Sequence, residues 1–131
     1  MVSPEGKLSW LSHLKSELPL GLFVYGRLTL MAVRNCPVRA QLGCRACGGA
    51  GFLTDRTRTV FPVRCENGVS YIYNSLPTSM LDKKEALRPF DFALLSFTVE
   101  SPREIEQVLI RWAAGNALET ASTRGLYNRG V

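Results

Sequence analysis

The sequence predicts an α/β fold made of two strand–helix units, the kind that build a parallel sheet or a (β/α) barrel. Three observations carry that expectation. Two continuous apolar runs, "LGLFVYGRLTLM" and "FDFALLSFTVE", fit strands buried on both faces. A strongly patterned helix, "SPREIEQVLIRWAAGNA", follows the second run. Between the runs lies a cysteine- and glycine-bearing segment with its own short strands, at residues 36–75.

The elements follow in order along the chain. Residues 4–17 space Leu8, Trp10, Leu11 and Leu14 as a rough amphipathic stripe, and Pro19 sets the end of that helix. The first apolar run comes next, and residues 36–51 read as loop. Strand-like pieces then appear near 52–54, 60–65 and 69–73, separated by the turn signals "DRTR" and "ENG". Asn67-Gly68 is the strongest hairpin signal in the chain, because both positions of a tight hairpin turn favour positive φ. Residues 78–88 predict a helix capped by Thr78 or Ser79. In the last helix Ser101 is the cap, Pro102 the first turn and Glu104 the capping-box partner. Ile105, Val108, Leu109 and Trp112 form its apolar face. Two buried strands with three helices leave two apolar sheet edges without partners. Either another chain supplies strands, or this is the end of a longer barrel.

Composition restricts the function classes. The 131 residues suffice for one domain with a modest core, and 46% hydrophobic with 21% charged residues excludes wholesale disorder. The formal charge of +5 suits a nucleic acid or another polyanion. Arg34, Arg39, Arg45, Arg56, Arg58 and Arg64 concentrate around the cysteines, with Arg124 and Arg129 at the tail. No apolar stretch approaches the roughly 18 residues of a membrane span, and the N-terminus lacks the pattern of a signal peptide. A cytoplasmic location without membrane contact is therefore expected. In that reducing compartment, cysteines serve as metal ligands or catalytic thiols rather than disulfides.

The four cysteines, Cys36, Cys44, Cys47 and Cys65, are separated by seven, two and seventeen residues. The Cys-x2-Cys pair in "CRACGGAG" is half of a four-thiolate site, and Cys36 and Cys65 are the candidates to complete it. Zinc and an iron–sulfur cluster both accept four thiolates, and the spacing leaves the two equally open. Four buried cysteines that bind nothing are the plain structural alternative. His13 is the only histidine, and no metalloprotease, nucleophile-elbow or Walker motif is present. Tyr25, Arg27, Asp55, Arg56, Asn74 and Ser75 are polar groups beside buried segments. Composition favours loop hydrogen bonding for them over substrate contact.

Six motifs then stand in one order: "VYGRLTLMAVRNCP", the Cys-x2-Cys pair, "LTDR", "FPVRC", "IYNSLP" and "TRGLYNRGV". In that order they resemble the collagenase-like peptidase family, peptidase family U-32, and the resemblance runs from "SPE" at residue 3 to the end of the chain. It implies the C-terminal portion of a TIM-like (β/α) barrel over residues 1–131, incomplete as a barrel, with the cysteine region inserted after a late strand. It also implies a 4Fe-4S cluster on Cys36, Cys44, Cys47 and Cys65, with zinc as the alternative. Members of the family are named as peptidases, and others hydroxylate RNA bases or the ubiquinone ring. The expectation is thus an iron–sulfur protein belonging to an RNA-base or ring hydroxylation enzyme. A collagenase-like peptidase, or a non-catalytic metal-stapled fragment completed by a partner chain, are the alternatives. RNA and a chain supplying the missing strands are the partners so implied. Tyr25, Arg27, Arg34, Asp55, Arg56 and Asn74 are the candidate substrate contacts.

Overall fold

A computed structural model describes residues 6–125 and 127–128 of the chain. Arg129, placed at the basic tail by the sequence, lies outside the described residues. In chain order the elements are α1 (Leu8–Leu11), β1 (Gly21–Gly26), β2 (Thr29–Val33), α2 (Arg39–Leu42), α3 (Cys44–Cys47) and β3 (Ala50–Thr54). They continue with β4 (Val60–Glu66), β5 (Val69–Tyr73), β6 (Thr78–Ser79), a 3-10 turn at Lys84–Leu87, β7 (Phe92–Leu95) and α4 (Pro102–Ala114). The chain divides into two compact units, residues 27–75 and the remainder. The fold is therefore mixed α/β with two sheets.

The unit formed by the two ends of the chain holds a three-stranded sheet in the order β6-β1-β7. β1 and β7 run parallel, and all six residues of β1 are buried, as the first apolar run predicts for its opening half. The second half differs. Gly26 sits at φ 142°, where a Cβ would lie 2.4 Å from the Ser96 carbonyl oxygen, so only glycine fits and the strand ends there. Leu30 and Met31 beyond it belong to β2 in the other unit and are exposed.

Thr78 and Ser79 are not helix caps. They form β6, buried and antiparallel to β1, and only a single 3-10 turn follows them. The two unpaired edges expected of the parallel strands reduce accordingly: β6 covers β1 on one side and β7 on the other. The N-terminal helix is one turn long, with Leu11 buried but Trp10 64% exposed, so its stripe is narrower than the spacing predicts. Leu11, Leu22, Val24, Met80, Leu81, Val108 and Tyr127 make the core of this unit. The Tyr127 hydroxyl donates to the Phe23 carbonyl at 2.6 Å and is fully buried, tying the tail to β1.

α4 forms as its sequence dictates. Ser101 accepts from the Glu104 amide while the Glu104 carboxylate accepts from the Ser101 amide, a complete capping box. Gly115 closes it in the left-handed region at φ 70°. Val108 is its buried contact, whereas Leu109, expected on the apolar face, is exposed.

Residues 27–75 form a four-stranded antiparallel sheet in the order β2-β5-β4-β3. All three short strands expected here are present. The β4–β5 hairpin turns through Asn67 and Gly68, both at positive φ, 51° and 78°. Val38 packs over one face, where Gly51 leaves room for it: a Cβ there would approach Val38 at 2.9 Å. The segment read as loop contains two single helical turns, α2 and α3. Because β2 pairs with β5, this compact unit begins at Arg27. Among the described residues no helix is long and apolar enough to cross a membrane.

Candidate functional site: a cysteine- and arginine-lined cavity

The sheet of residues 27–75 brings Cys65 opposite Ser70 across β4 and β5. The chain leaving β2 then carries Arg34, Asn35 and Cys36 beside this pair, and α2 and α3 follow. Cys36, Cys44 and Cys65 thereby line one cavity of about 440 Å³, together with Arg34, Asn35 and Arg39. Cys36 and Cys65, 29 positions apart, meet here because antiparallel register, not local sequence, sets their approach.

Cys47 stands on the same helical turn as Cys44, and its thiol donates to the Cys44 carbonyl at 3.6 Å. Glycines flank that turn at positive φ, Gly43 at 75° and Gly48 at 56°, so backbone conformation rather than packing defines it. All four thiols are free; Cys44 is exposed and Cys36, Cys47 and Cys65 are half-buried, so they are not the buried core cysteines of the plain alternative.

The Cys36 thiol is held below its ordinary value, first by the Ser70 hydroxyl, then by the Arg39 amide, against a small opposing effect of burial. The Ser70 hydroxyl itself is wholly buried and has no hydrogen-bond partner at normal geometry. An ionised Cys36 sulfur would give this buried hydroxyl an acceptor.

The donor set therefore suits a thiolate-bound metal or cluster in kind. Four cysteines share one compact unit, three line one cavity, among the described residues no carboxylate lines it, and the buried Ser70 hydroxyl is without a hydrogen-bond partner. The convergence is incomplete: among the described residues no three Cys, His, Asp or Glu side chains gather closely enough to hold a metal ion as they stand.

The remaining predicted contacts scatter. Arg34 lines the cavity. Asp55 accepts from the Thr57 amide at 2.7 Å, the Thr57 hydroxyl at 2.7 Å and the Thr59 amide at 2.9 Å, which depresses its pKa and organises the β3–β4 turn. Arg56 is exposed on that turn. Arg27 donates to the carbonyls of Asn74 and Ser75, and the Asn74 amide donates to the Leu28 carbonyl, so these groups close the base of the unit. Tyr25 belongs to the other unit, where its hydroxyl donates to Glu100 at 3.4 Å. Asn35, Arg39 and Ser70 were not among the expected residues. Arg39 was visible as one of the basic residues near the cysteines; Ser70 carried no sequence signal.

His13 Nδ1 does not form a nucleophile–base pair with the neighbouring serine hydroxyl. Its Nδ1 lies 2.7 Å from the Ser9 carbonyl oxygen, a contact that requires the nitrogen to donate. That nitrogen then has no lone pair for the neighbouring Ser12 hydroxyl, 3.3 Å away.

No known protein family, characterised protein or solved structure matches the chain.

Proposed function

We propose that the chain is an iron–sulfur-binding protein, with Cys36, Cys44, Cys47 and Cys65 as the ligands of a 4Fe-4S cluster and zinc as the alternative occupant. The observation that carries this reading is the cavity lined by Cys36, Cys44 and Cys65, with the unpartnered Ser70 hydroxyl behind Cys36. Cys47, on the same α3 turn as Cys44, is the fourth ligand in this reading, and Gly43 and Gly48 flank that turn with open space beside them. A bound cluster would supply one-electron chemistry. The chain's own residues hold the sulfurs, supply a proton donor to one of them and surround them with guanidinium groups.

The finer reading places this cluster in an RNA-base or ring hydroxylation enzyme of the U-32 type. In it, β1 and β7 are parallel neighbours from the C-terminal part of a (β/α) barrel. The charge distribution supports the RNA branch. Residues 27–75 carry seven arginines, no lysine and only Asp55 and Glu66, so the entire +5 resides in the cysteine-bearing unit. Arginine without lysine suits phosphate and stacked bases better than bulk solubility requires. A second reading, a fragment completed by a partner chain, is favoured by β7, which ends the sheet with Phe92 46% exposed.

Anaerobic purification of the 131-residue chain, followed by iron, acid-labile sulfide and zinc analysis, tests the proposal. Brown protein with matching iron and sulfide that is lost in a variant of all four cysteines is expected. A colourless protein with stoichiometric zinc would sink the cluster and leave a structural metal site.

A further inference from the structure

We infer that the cysteine cavity also binds a small oxyanion, a phosphate or carboxylate group held between the guanidinium groups of Arg34 and Arg39. This goes beyond the metal reading and does not depend on which metal, if any, the thiols hold.

The cavity, at about 440 Å³, has the size of a small-molecule site. Arg34 and Arg39 both line it, the Asn35 amide adds a third donor group, and no Asp or Glu is among its walls. Three other arginines of this protein are committed. Arg27 donates to two backbone carbonyls, Arg124 is paired with Asp82, and Arg111 with Glu119. Among the described residues, neither Arg34 nor Arg39 has a side-chain hydrogen bond or a carboxylate partner.

Two like charges facing one cavity repel each other, and the nearby carboxylates do not relieve them: Glu66 and Asp55 are the sole acidic residues of the unit, and neither lines the cavity. An oxyanion relieves that repulsion. Guanidinium groups present paired donors matched to the edge of a carboxylate or phosphate, so the two arginines can grip one group from two sides. Gly68 also lines the cavity and adds no side chain to it.

Titration of the full chain at constant ionic strength tests this, with inorganic phosphate and succinate as probes and chloride as the reference salt. Backbone amide resonances are followed in metal-free and metal-loaded protein. A saturable shift confined to residues 34–40 and 65–68 is expected with at least one probe. Phosphate alone saturating identifies a phosphoryl ligand, and succinate alone a carboxylate ligand. Arg34→Gln and Arg39→Gln are each expected to weaken binding at least tenfold, whereas Arg88→Gln, exposed and outside the cavity, leaves it unchanged. Arg34→Lys and Arg39→Lys keep the charge and lose the fork, and intermediate affinity is expected if the glutamine variants fail to fold. Shifts that grow linearly with both probes, or affinities unaltered in the arginine variants, would overturn the inference. Saturable binding in a chain that holds no metal would retain the anion site and remove the cluster. Metal binding with no saturable anion shift would do the reverse.

Discussion

Replacing Ser70 by alanine gives a result whose sign depends on the state of Cys36. The Ser70 hydroxyl is wholly buried and unpartnered, so in metal-free protein it contributes only its desolvation penalty. Such a group costs about 1–3 kcal/mol in folded proteins. Removing the oxygen leaves a cavity smaller than a methyl group, which returns a part of that gain. Ser70→Ala is therefore expected to stabilise the metal-free chain by about 1 kcal/mol, a shift of a few degrees in the melting temperature. In the proposed loaded form the same hydroxyl would donate to a ligand sulfur, and losing such an outer contact would weaken metal affinity about 10–100-fold. Thermal unfolding of the metal-free form and competition with a chelator in the loaded form give the two numbers. If Ser70→Ala destabilises the metal-free chain by 1 kcal/mol or more, the hydroxyl has a partner in the neutral state. The argument that it waits for a thiolate then fails.

Three further outcomes follow from the same geometry. Gly51→Ala would push a methyl group to 2.9 Å from Val38, so the cysteine-bearing unit should lose about 1–3 kcal/mol, read by denaturant titration; an unchanged midpoint would mean α2 is not seated on the sheet. Asp82 is held below the ordinary carboxylate range first by its hydrogen bonds to Arg124, so its contribution to stability is complete above about pH 4 and is lost as pH falls through the depressed value. Wild type should therefore lose stability more steeply than Asp82→Asn below about pH 4, and parallel curves would count against the pair. Ser101→Ala removes the capping box of α4 and should cost about 1 kcal/mol, recovered in part by Ser101→Asp, with helical circular dichroism and melting temperature as the readouts.

What could be read from the sequence was local. The β4–β5 turn was visible because Asn67 and Gly68 tolerate positive φ, and both adopt it. The α4 start was visible because Ser101, Pro102 and Glu104 satisfy the first amides of that helix by themselves. The misreadings have one cause, competition between local pattern and tertiary pairing. Thr78 and Ser79 make good caps in isolation, yet β1 offers them a ladder and burial, and the ladder prevails. The run from Leu20 to Met31 looks like one strand until Gly26 is seen at a φ that ends it. The cysteines show the same limit. Cys44 and Cys47 are close by spacing, but Cys65 reaches the cavity through the register of three strands, and Ser70 through its place opposite Cys65.

Charge connects the thiols to the arginines. Four thiolates around a divalent ion leave a net charge of about −2, which is costly in a partly buried cavity unless cations stand nearby. Arg34 and Arg39 are there, and Arg39 lowers the Cys36 thiol through space as well as through its amide. The unit's charge of +5 nevertheless exceeds that demand by about three, while the other unit balances nine cations with nine carboxylates. A surplus confined to one 49-residue unit and made of arginine alone, with Arg34 and Arg39 lining the cavity, exceeds what a structural metal staple requires. It is the electrostatics expected if the proposed anion site lies beside the proposed metal. Neutralising Arg34 and Arg39 together should then leave metal content intact while abolishing anion binding, a separation that a purely charge-balancing role for the two arginines would not produce.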